Sequence, residues 1–390
     1  MAKVQTKRKL RMGMVGGSLE AFIGAVHRKA ANLDGEIELV CGAFSSNPDK
    51  SKATGAALAL PANRVYGSFT EMIEKEKALP EGERMDFVSI VTPNHMHFAP
   101  AQLALENGFH VIIDKPLAFN IAEAKTLKKL VEKTGLVFAL THTYTGYPMV
   151  KEAKHLIATG ALGKVRKVYV EYPQGWLSTY SEGTGNKQAS WRTDPSKSGA
   201  GGAIGDIGTH AANLAEYITG SDITEICALL NTVVKGRLLD DDSSMLLKFE
   251  NGSTGSLIAT QVAAGEENNL NIRVYGEKGG LEWRQEEPNT LVMKWLDKPK
   301  QLLRTGSGYL SDAAKLNTRT PSGHPEGYLE AFANLYMAFG RAVRDYKPGK
   351  KVNAAKYDFP DVEDGVKGMA FVDTVIRSSK SNAKWTKVKY

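Results

Sequence analysis

Cysteine is nearly absent, with Cys41 and Cys227 alone in 390 residues. Two are too few for a disulfide framework and wrongly spaced for zinc, so both are read as core thiols on predicted strands. Long apolar runs are missing as well. Gly, Lys, Asp or Glu interrupts every stretch before it reaches the roughly 18 apolar residues of a membrane-spanning helix. The charged start, MAKVQTKRKLRMGMVGG, is followed by Glu20 and glycines, not by an apolar segment with a small-residue cleavage site. A cytoplasmic protein is therefore expected. Repeats and low-complexity tracts are also lacking. What remains is 42% hydrophobic, 24% charged and 8% aromatic, the composition of a globular chain long enough for two domains. Part of the net charge of +7 sits at the ends, in Lys3, Lys7, Arg8, Lys9, Arg11, Lys347, Lys350 and Lys351. These are read as solvated, mobile termini, and without interleaved aromatics they do not point to nucleic acid.

Residues 1–143 alternate short β-rich runs with amphipathic ones: LRMGMVG, a helix through His27, IELVCGAF, a second helix, DFVSIVTP, a third, HVIIDKP, a helix from Ile121 to Thr134, and LVFALTH. Strand then helix, repeated, predicts a parallel sheet with crossover helices, a doubly wound α/β domain. VSIV is apolar except at Ser89, as expected of a strand covered on both faces. From Val165 the rhythm changes to hairpin signals. SSMLLKFENGSTGSLIATQV holds two alternating runs around Asn251-Gly252, a pair suited to a type I′ turn, so residues 144–390 are expected to carry an antiparallel sheet. The sequon at Asn251 is read as that turn. With no flexible linker, the domains should meet closely, and their junction is the natural ligand site.

The first strand runs into Gly13-Met14-Val15-Gly16-Gly17-Ser18, and a helix is expected to begin between Phe22 and Gly24. Glycines at such a turn let backbone amides approach a pyrophosphate, although this loop is a few residues longer than G-x-G-x-x-G. About 20 residues on, where a carboxylate would grip the ribose of NAD, stand Ser45 and Ser46, with Lys50 nearby. NADP is thus allowed and NAD is not excluded. Thr92-Pro93-Asn94-His95-Met96-His97 ends the third main strand, with Asn94 read as an N-cap. His95 and His97, two apart, do not share a helix face, and no metal site is expected. Asp114-Lys115-Pro116 closes the fourth. A lysine before proline at a strand's carboxyl end is held extended toward the cleft, with the Lys-Pro bond open to cis. Farther on, Trp191-Arg192-Thr193-Asp194 precedes GAGGAIGDIGTH, whose glycines open a helix ending at Gly220. Asp206 and His210, four apart, share a face, and His210 is a natural proton acceptor; a capping or core pair has the same spacing. Asp240-Asp241-Asp242 is read as a solvated turn, not a cation site.

TPNHMH, DKP, WRTDPSKSGAGGAIGDIGTH and VYGEKGGLEW occur in the order found in the glucose-fructose oxidoreductase / inositol dehydrogenase / rhizopine-catabolism (Gfo/Idh/MocA) family, which the chain resembles over nearly its whole length. DKP stands where EKP is commoner, and DIGTH matches the D-x-G-x-H element. The resemblance implies a Rossmann domain over 1–143. Over 144–390 it implies a substrate-binding α/β domain with a large, mainly antiparallel open sheet, through which copies form a homodimer or homotetramer. It further implies Lys115, Asp206 and His210 as the catalytic set, with NAD or NADP as cofactor, NAD being favoured. Cofactor contacts are expected from Gly16, Gly17, Ser18, Phe22, Ile23, Ser45, Ser46, Lys50, Thr92, Pro93, Asn94, His97, Asp114, Lys115, Trp191 and Arg192. Substrate contacts are expected from Lys115, Asp206 and His210 together with Tyr144, Tyr147, Trp176, Arg192 and His324, whose segments fall at the junction. Aromatic rings suit sugar C–H faces, and Arg192 would allow an anionic substrate. The implied activity is hydride transfer between nicotinamide and a secondary alcohol of a sugar or cyclitol. Two alternatives are a redox-neutral glycosidase using bound NAD and a non-catalytic dinucleotide sensor; the presence of all three catalytic residues argues against the sensor.

Overall fold

The computed structural model describes residues 8–350 and 352–390. Lys3, Lys7 and Lys351 lie outside the described residues. The strand and helix alternation becomes β1 (Leu10–Gly16), α1 (Phe22–Asn32), β2 (Ile37–Ala43), α2 (Pro48–Ala57), α3 (Phe69–Ala78), β3 (Phe87–Val91), α4 (Phe98–Glu106), β4 (His110–Ile113), α5 (Ile121–Thr134) and β5 (Phe138–Leu140). These strands form one parallel sheet in the order β2-β1-β3-β4-β5. The order reverses between β1 and β3, which opens a crevice at their carboxyl ends. α5 shows why the helices stop where they do. Asn120 accepts from the Glu123 amide at its start, and left-handed Gly135 (φ 67°) ends it.

The second part contains α6 (Pro148–Ala158), β6 (Val165–Pro173), α7 (Lys187–Arg192), α8 (Pro195–Ser198), a π-helical turn at Ile204–Gly208 that runs into α9 (Thr209–Thr219), then β7 (Ile223–Asn231), β8 (Asp242–Phe249), β9 (Thr254–Thr260), β10 (Asn271–Gly276), β11 (Gly279–Arg284), β12 (Thr290–Trp295) and β13 (Gln301–Arg304). The chain closes with α10 (Asp312–Leu316), α11 (Tyr328–Asp345), α12 (Ala354–Tyr357), α13 (Val362–Ser379) and β14 (Thr386–Lys387). Its sheet has the order β13-β12-β11-β10-β6-β9-β8-β7-β14, antiparallel except between β6 and β9. The doubly wound sheet followed by a large, mainly antiparallel open one is the expected fold class. β8 and β9 form the expected hairpin, but its turn is not type I′. Only Gly252 has a positive φ (84°), and its N–H donates to Phe249 O at 3.0 Å, so the loop is longer and ends in a left-handed glycine.

Alternating strand residues divide the core. Met12, Met14 and Phe87 face α1 and α11, whereas Val15, Val88 and Ile90 face α3, α4, α5 and the first half of α13. Helices from the end of the chain thus complete the core of the first sheet. One face of the second sheet packs Val168, Val170, Leu257 and Ile272 against α6, α9 and the rest of α13. On the opposite face of β7, β8 and β9 stand exposed Leu229, Leu246 and Ile258. Cys227, paired with Leu246 across β7 and β8, shares that face and is only half-buried, so Cys41 alone is a core thiol. The charged amino end is also less free than expected. Arg8 forms a two-bond ion pair with Asp86 at 2.6 and 2.7 Å, and the Arg11 backbone N–H donates to the same carboxylate at 2.7 Å.

Asp240-Asp241-Asp242 is not a solvated turn. Asp240 accepts from the amides of Gly202 and Ile204 at 2.6 and 2.8 Å, directly ahead of the segment that carries Asp206 and His210. Asp241 accepts from the amides of Val233 and Val234 and pairs with Arg237 at 3.0 Å. Asp242, the first residue of β8, accepts from Asn231 Nδ2 at 3.0 Å, so the three successive carboxylates have different partners.

Candidate active site

A cavity of about 1100 Å³ opens where the carboxyl ends of β1, β3 and β4 meet the start of α9 and the end of β6. Gly16 and Gly17 adopt φ of 81° and 72° at the end of β1, and a Cβ on Gly16 would stand 2.9 Å from Val91 O. α1 begins beside them without a side-chain cap on its first amides. Glycine backbone and uncapped helix N-terminus make a turn of the kind that can receive a dinucleotide pyrophosphate, and it packs too closely on the end of β3 to admit a Cβ at Gly16. Gly24 supplies the remaining close approach, since a Cβ there would lie 2.3 Å from Gly17 Cα. Gly24→Val is expected to weaken NADH binding by about tenfold or more, read by titrating the reduced dinucleotide's fluorescence. Wild-type affinity in that variant would remove this loop from the binding site.

Lys115 follows β4, at a cis Lys115–Pro116 bond. Its Nζ donates to Asp206 Oδ1 at 2.8 Å and to Asp206 O at 2.5 Å. Arg192 Nε lies 3.3 Å from Asp206 Oδ2, and Gln261 Nε2 donates to that oxygen at 2.9 Å. Burial alone would push the Asp206 carboxyl up, but Lys115 and Arg192 hold it well below the usual carboxylate range. His210 lines the cavity one turn later. Burial, followed by the charge of Lys115, keeps its imidazole well below 6.5, so the ring is neutral at physiological pH. Its Nδ1 lies 3.4 Å from Nδ1 of His142. Asp114, next to Lys115, accepts from Thr141 Oγ1 at 2.8 Å; burial opposes its charge, yet His27 and Lys115 hold it low.

The cavity wall also holds Gly16, Gly17, Ser18, Phe22, Ile23, Ser45, Ser46, Thr92, Pro93, Asn94, Asp114, Trp191, Tyr144 and Trp176, as the sequence suggests. Four expected residues do not line it. Lys50 is exposed and pairs at 3.4 Å with Glu20, which does line it. His97 is buried with its ring nitrogens 2.7 Å from Pro116 O and 2.8 Å from Thr92 O, so it ties the Thr92 turn to the Lys115 turn. Tyr147 lies in the core against Trp283. His324 is exposed beside Pro321 O. Asn94 does line the wall, but its side chain donates to Ser198 O at 2.9 Å instead of capping α4.

Sequence reading missed the polar lining. Tyr172 and Gln174, at the end of β6, meet Asn268: Tyr172 Oη donates to Asn268 Oδ1 at 2.7 Å and Gln174 Nε2 at 2.6 Å. Gln261 Nε2 donates to Gln174 Oε1 at 3.2 Å, and Tyr144 and Tyr172 are joined through their hydroxyls. The alternation that buries Val168 and Val170 would have turned Tyr172 inward as well, but no local pattern marks Asn268 or Gln261. Among the described residues no group of His, Cys, Asp and Glu could hold a metal ion, and no helix is long and apolar enough to cross a membrane.

Comparison with known proteins agrees with this geometry. Residues 10–142 match the family model described as "Oxidoreductase family, NAD-binding Rossmann fold", and residues 150–282 match the "GFO/IDH/MocA C-terminal domain". An uncharacterized oxidoreductase of Bacillus subtilis is 31% identical over 385 residues, 98% of each chain. Among solved structures, an oxidoreductase from Sinorhizobium meliloti is 45% identical with a TM-score of 0.87, covering 97% of this chain and 99% of that one. An inositol dehydrogenase homolog from Azotobacter vinelandii, complexed with NADH and myo-inositol, is 33% identical with a TM-score of 0.88, covering 97% and 98%.

Proposed function

The chain belongs to the GFO/IDH/MocA oxidoreductase family, and from that premise we propose that it transfers hydride between a nicotinamide dinucleotide and a secondary alcohol of an uncharged cyclitol or sugar. The observation that carries this reading is the Lys115–Asp206 contact at 2.8 Å, set beside His210 in a cavity that begins at the glycine cradle. Bound nicotinamide would supply the hydride acceptor, and the protein's part is positioning and proton handling. His210, neutral, takes the hydroxyl proton. Lys115 donates a hydrogen bond to the same oxygen and stabilises the charge that develops on it. Asp206 fixes the lysine ammonium through two oxygens.

The charges of the site favour a neutral substrate over an anionic one. Both cavity cations near His210, Lys115 and Arg192, already face Asp206. Beyond them the wall offers Gln174, Asn268, Gln285, Tyr144, Tyr172 and Tyr328, groups that donate to and accept from hydroxyls. The myo-inositol bound by the Azotobacter vinelandii homolog is of this class. For the cofactor, the hydroxyls of Ser45 and Ser46 in the wall suit NAD or NADP; NAD is preferred because the Glu20 carboxylate lines the same cavity and pairs with both Lys50 and Lys187. In this proposal residues 1–143 hold the dinucleotide, and 144–390 supply most of the substrate wall. The apolar outer face of β7, β8 and β9 joins copies into a homodimer or homotetramer.

The deciding experiment incubates the purified protein with NAD or NADP against cyclitols, free sugars, sugar phosphates and glycosides, following reduced dinucleotide by absorbance and products by mass spectrometry. Reduced cofactor in step with a keto-polyol is the expected result. Aglycone release without net reduction would move the protein to redox-neutral glycoside cleavage, and turnover of sugar phosphates alone would overturn the neutral-substrate assignment.

The lowered pKa of His210 makes a second prediction. Oxidation needs the neutral ring, so its rate is lost only as pH falls through the depressed value. The kcat/KM for alcohol oxidation should therefore show no histidine limb between about pH 6 and 8. A limb centred near 6.5 would mean that burial and Lys115 do not govern the base.

A further inference from the structure

The imidazole that faces the cavity has a second imidazole behind it. His142 lies two residues past β5, is 2% exposed and does not line the cavity, whereas His210 does. The two Nδ1 atoms are 3.4 Å apart, and the rings meet edge to face with centroids 5.3 Å apart at 80°. Burial, and then the charge of Lys115, pushes His142 down to about 3, so both rings are neutral at physiological pH. Two neutral imidazoles meeting through Nδ1 can share only one proton there, since two bare nitrogens repel and two N–H groups collide. If His142 holds that proton, the proton of His210 sits on Nε2, and His210 cannot act as a base there. If His210 holds it, Nε2 is bare.

We propose that His142 is a positioning residue that accepts the Nδ1–H of His210 and so keeps His210 Nε2 free to take the proton of the substrate hydroxyl. As the substrate O–H bond breaks, an N–H bond forms at Nε2, and the resulting imidazolium keeps its Nδ1–H directed at His142. This rests on the reading of His210 as the base. A carboxylate in the place of His142 would also fix the tautomer, but its charge would raise the basicity of His210. A neutral ring sets the tautomer without that effect. The other groups around the pair are already engaged: Lys115 with Asp206, Asp206 with Arg192 and Gln261, Asp114 with Thr141, and Tyr144 with Tyr172, these two rings standing 4.8 and 6.3 Å from that of His210.

The test uses the full chain labelled with 15N-histidine, with NADH present. Long-range proton–nitrogen spectra report each ring's tautomer, and His210→Asn identifies the His210 signals by their loss. The wild type should show His210 protonated at Nδ1. His142→Leu should move His210 toward the Nε2–H form and lower kcat with myo-inositol and NAD by about 10- to 100-fold at unchanged KM. In His142→Asn, Oδ1 can stand where Nδ1 stood and accept the same hydrogen bond, so tautomer and kcat should stay within about threefold of wild type. NADH affinity near wild type in both variants separates these effects from misfolding. An Nε2–H tautomer in the wild type, or one unchanged in His142→Leu, would overturn the proposal. If the wild type oxidises no polyol, the functional reading fails, while the tautomer measurement still decides the role of His142.

Discussion

Lys115→Met is expected to lower kcat by about 1000-fold or more while NADH still binds with near-native affinity. The methionine fills the same space but cannot donate to a developing alkoxide. The fold should survive, because Asp206 keeps Arg192 at 3.3 Å and Gln261 at 2.9 Å and so is not left as an unpaired buried charge. Dinucleotide affinity should survive as well, since the glycine cradle and the uncapped start of α1 lie at the end of a different strand. Steady-state kinetics on a substrate found in the panel and titration with NADH give the two readouts. Rates near those of the wild type would remove Lys115 from the chemistry.

Asp240→Ala is expected to destabilise the protein by about 3 kcal/mol and to lower kcat in what remains folded. Both carboxylate oxygens are used, one on the Gly202 amide at 2.6 Å and one on Ile204 at 2.8 Å. A Cβ on Gly202 would stand 2.0 Å from Asp240 O, so the two backbones are in contact, and loss of the carboxylate takes the acceptor from both buried amides. The freed amides begin the turn that carries Asp206, and a shift there would loosen the Lys115–Asp206 contact. Denaturant unfolding followed by fluorescence measures the first effect, and kcat at saturating cofactor measures the second. A variant as stable as the wild type would show that the three-aspartate segment is a surface turn after all.

Local signals carried most of the architecture. Strand and helix alternation gave β1 to β5 and the helix from Ile121 to Thr134, and the runs around Asn251-Gly252 placed the β8–β9 hairpin. The turn type within that hairpin escaped, because Asn-Gly suits more than one loop and the neighbouring strands choose among them. The fate of α11 and α13 escaped for a similar reason. Amphipathicity shows that a helix has a buried face but does not name the sheet that buries it.

The site divides in the same way. Gly16, Gly17, Lys115, Asp206 and His210, all of which line the cavity, stood out because each falls in a short pattern: a glycine turn, a residue held before proline, or, for Asp206 and His210, a motif of the resembled family. Lys115 meets Asp206 across 91 residues, and His142 meets His210 across 68; no pattern in the chain encodes such distances. Gln174, Gln261 and Asn268 look like any loop amides until three strands bring them together, Gln174 and Asn268 in the cavity wall and Gln261 buried against Asp206, and Lys50, His97, Tyr147 and His324 look like site residues until their neighbours claim them. The sequence by itself determined which segments are strands and helices and which turns admit a dinucleotide, since these depend on neighbours a few residues away. Only the tertiary structure decided which side chains face the cavity and which carry its charge, because burial and hydrogen-bond partners are set by chain segments far apart in sequence.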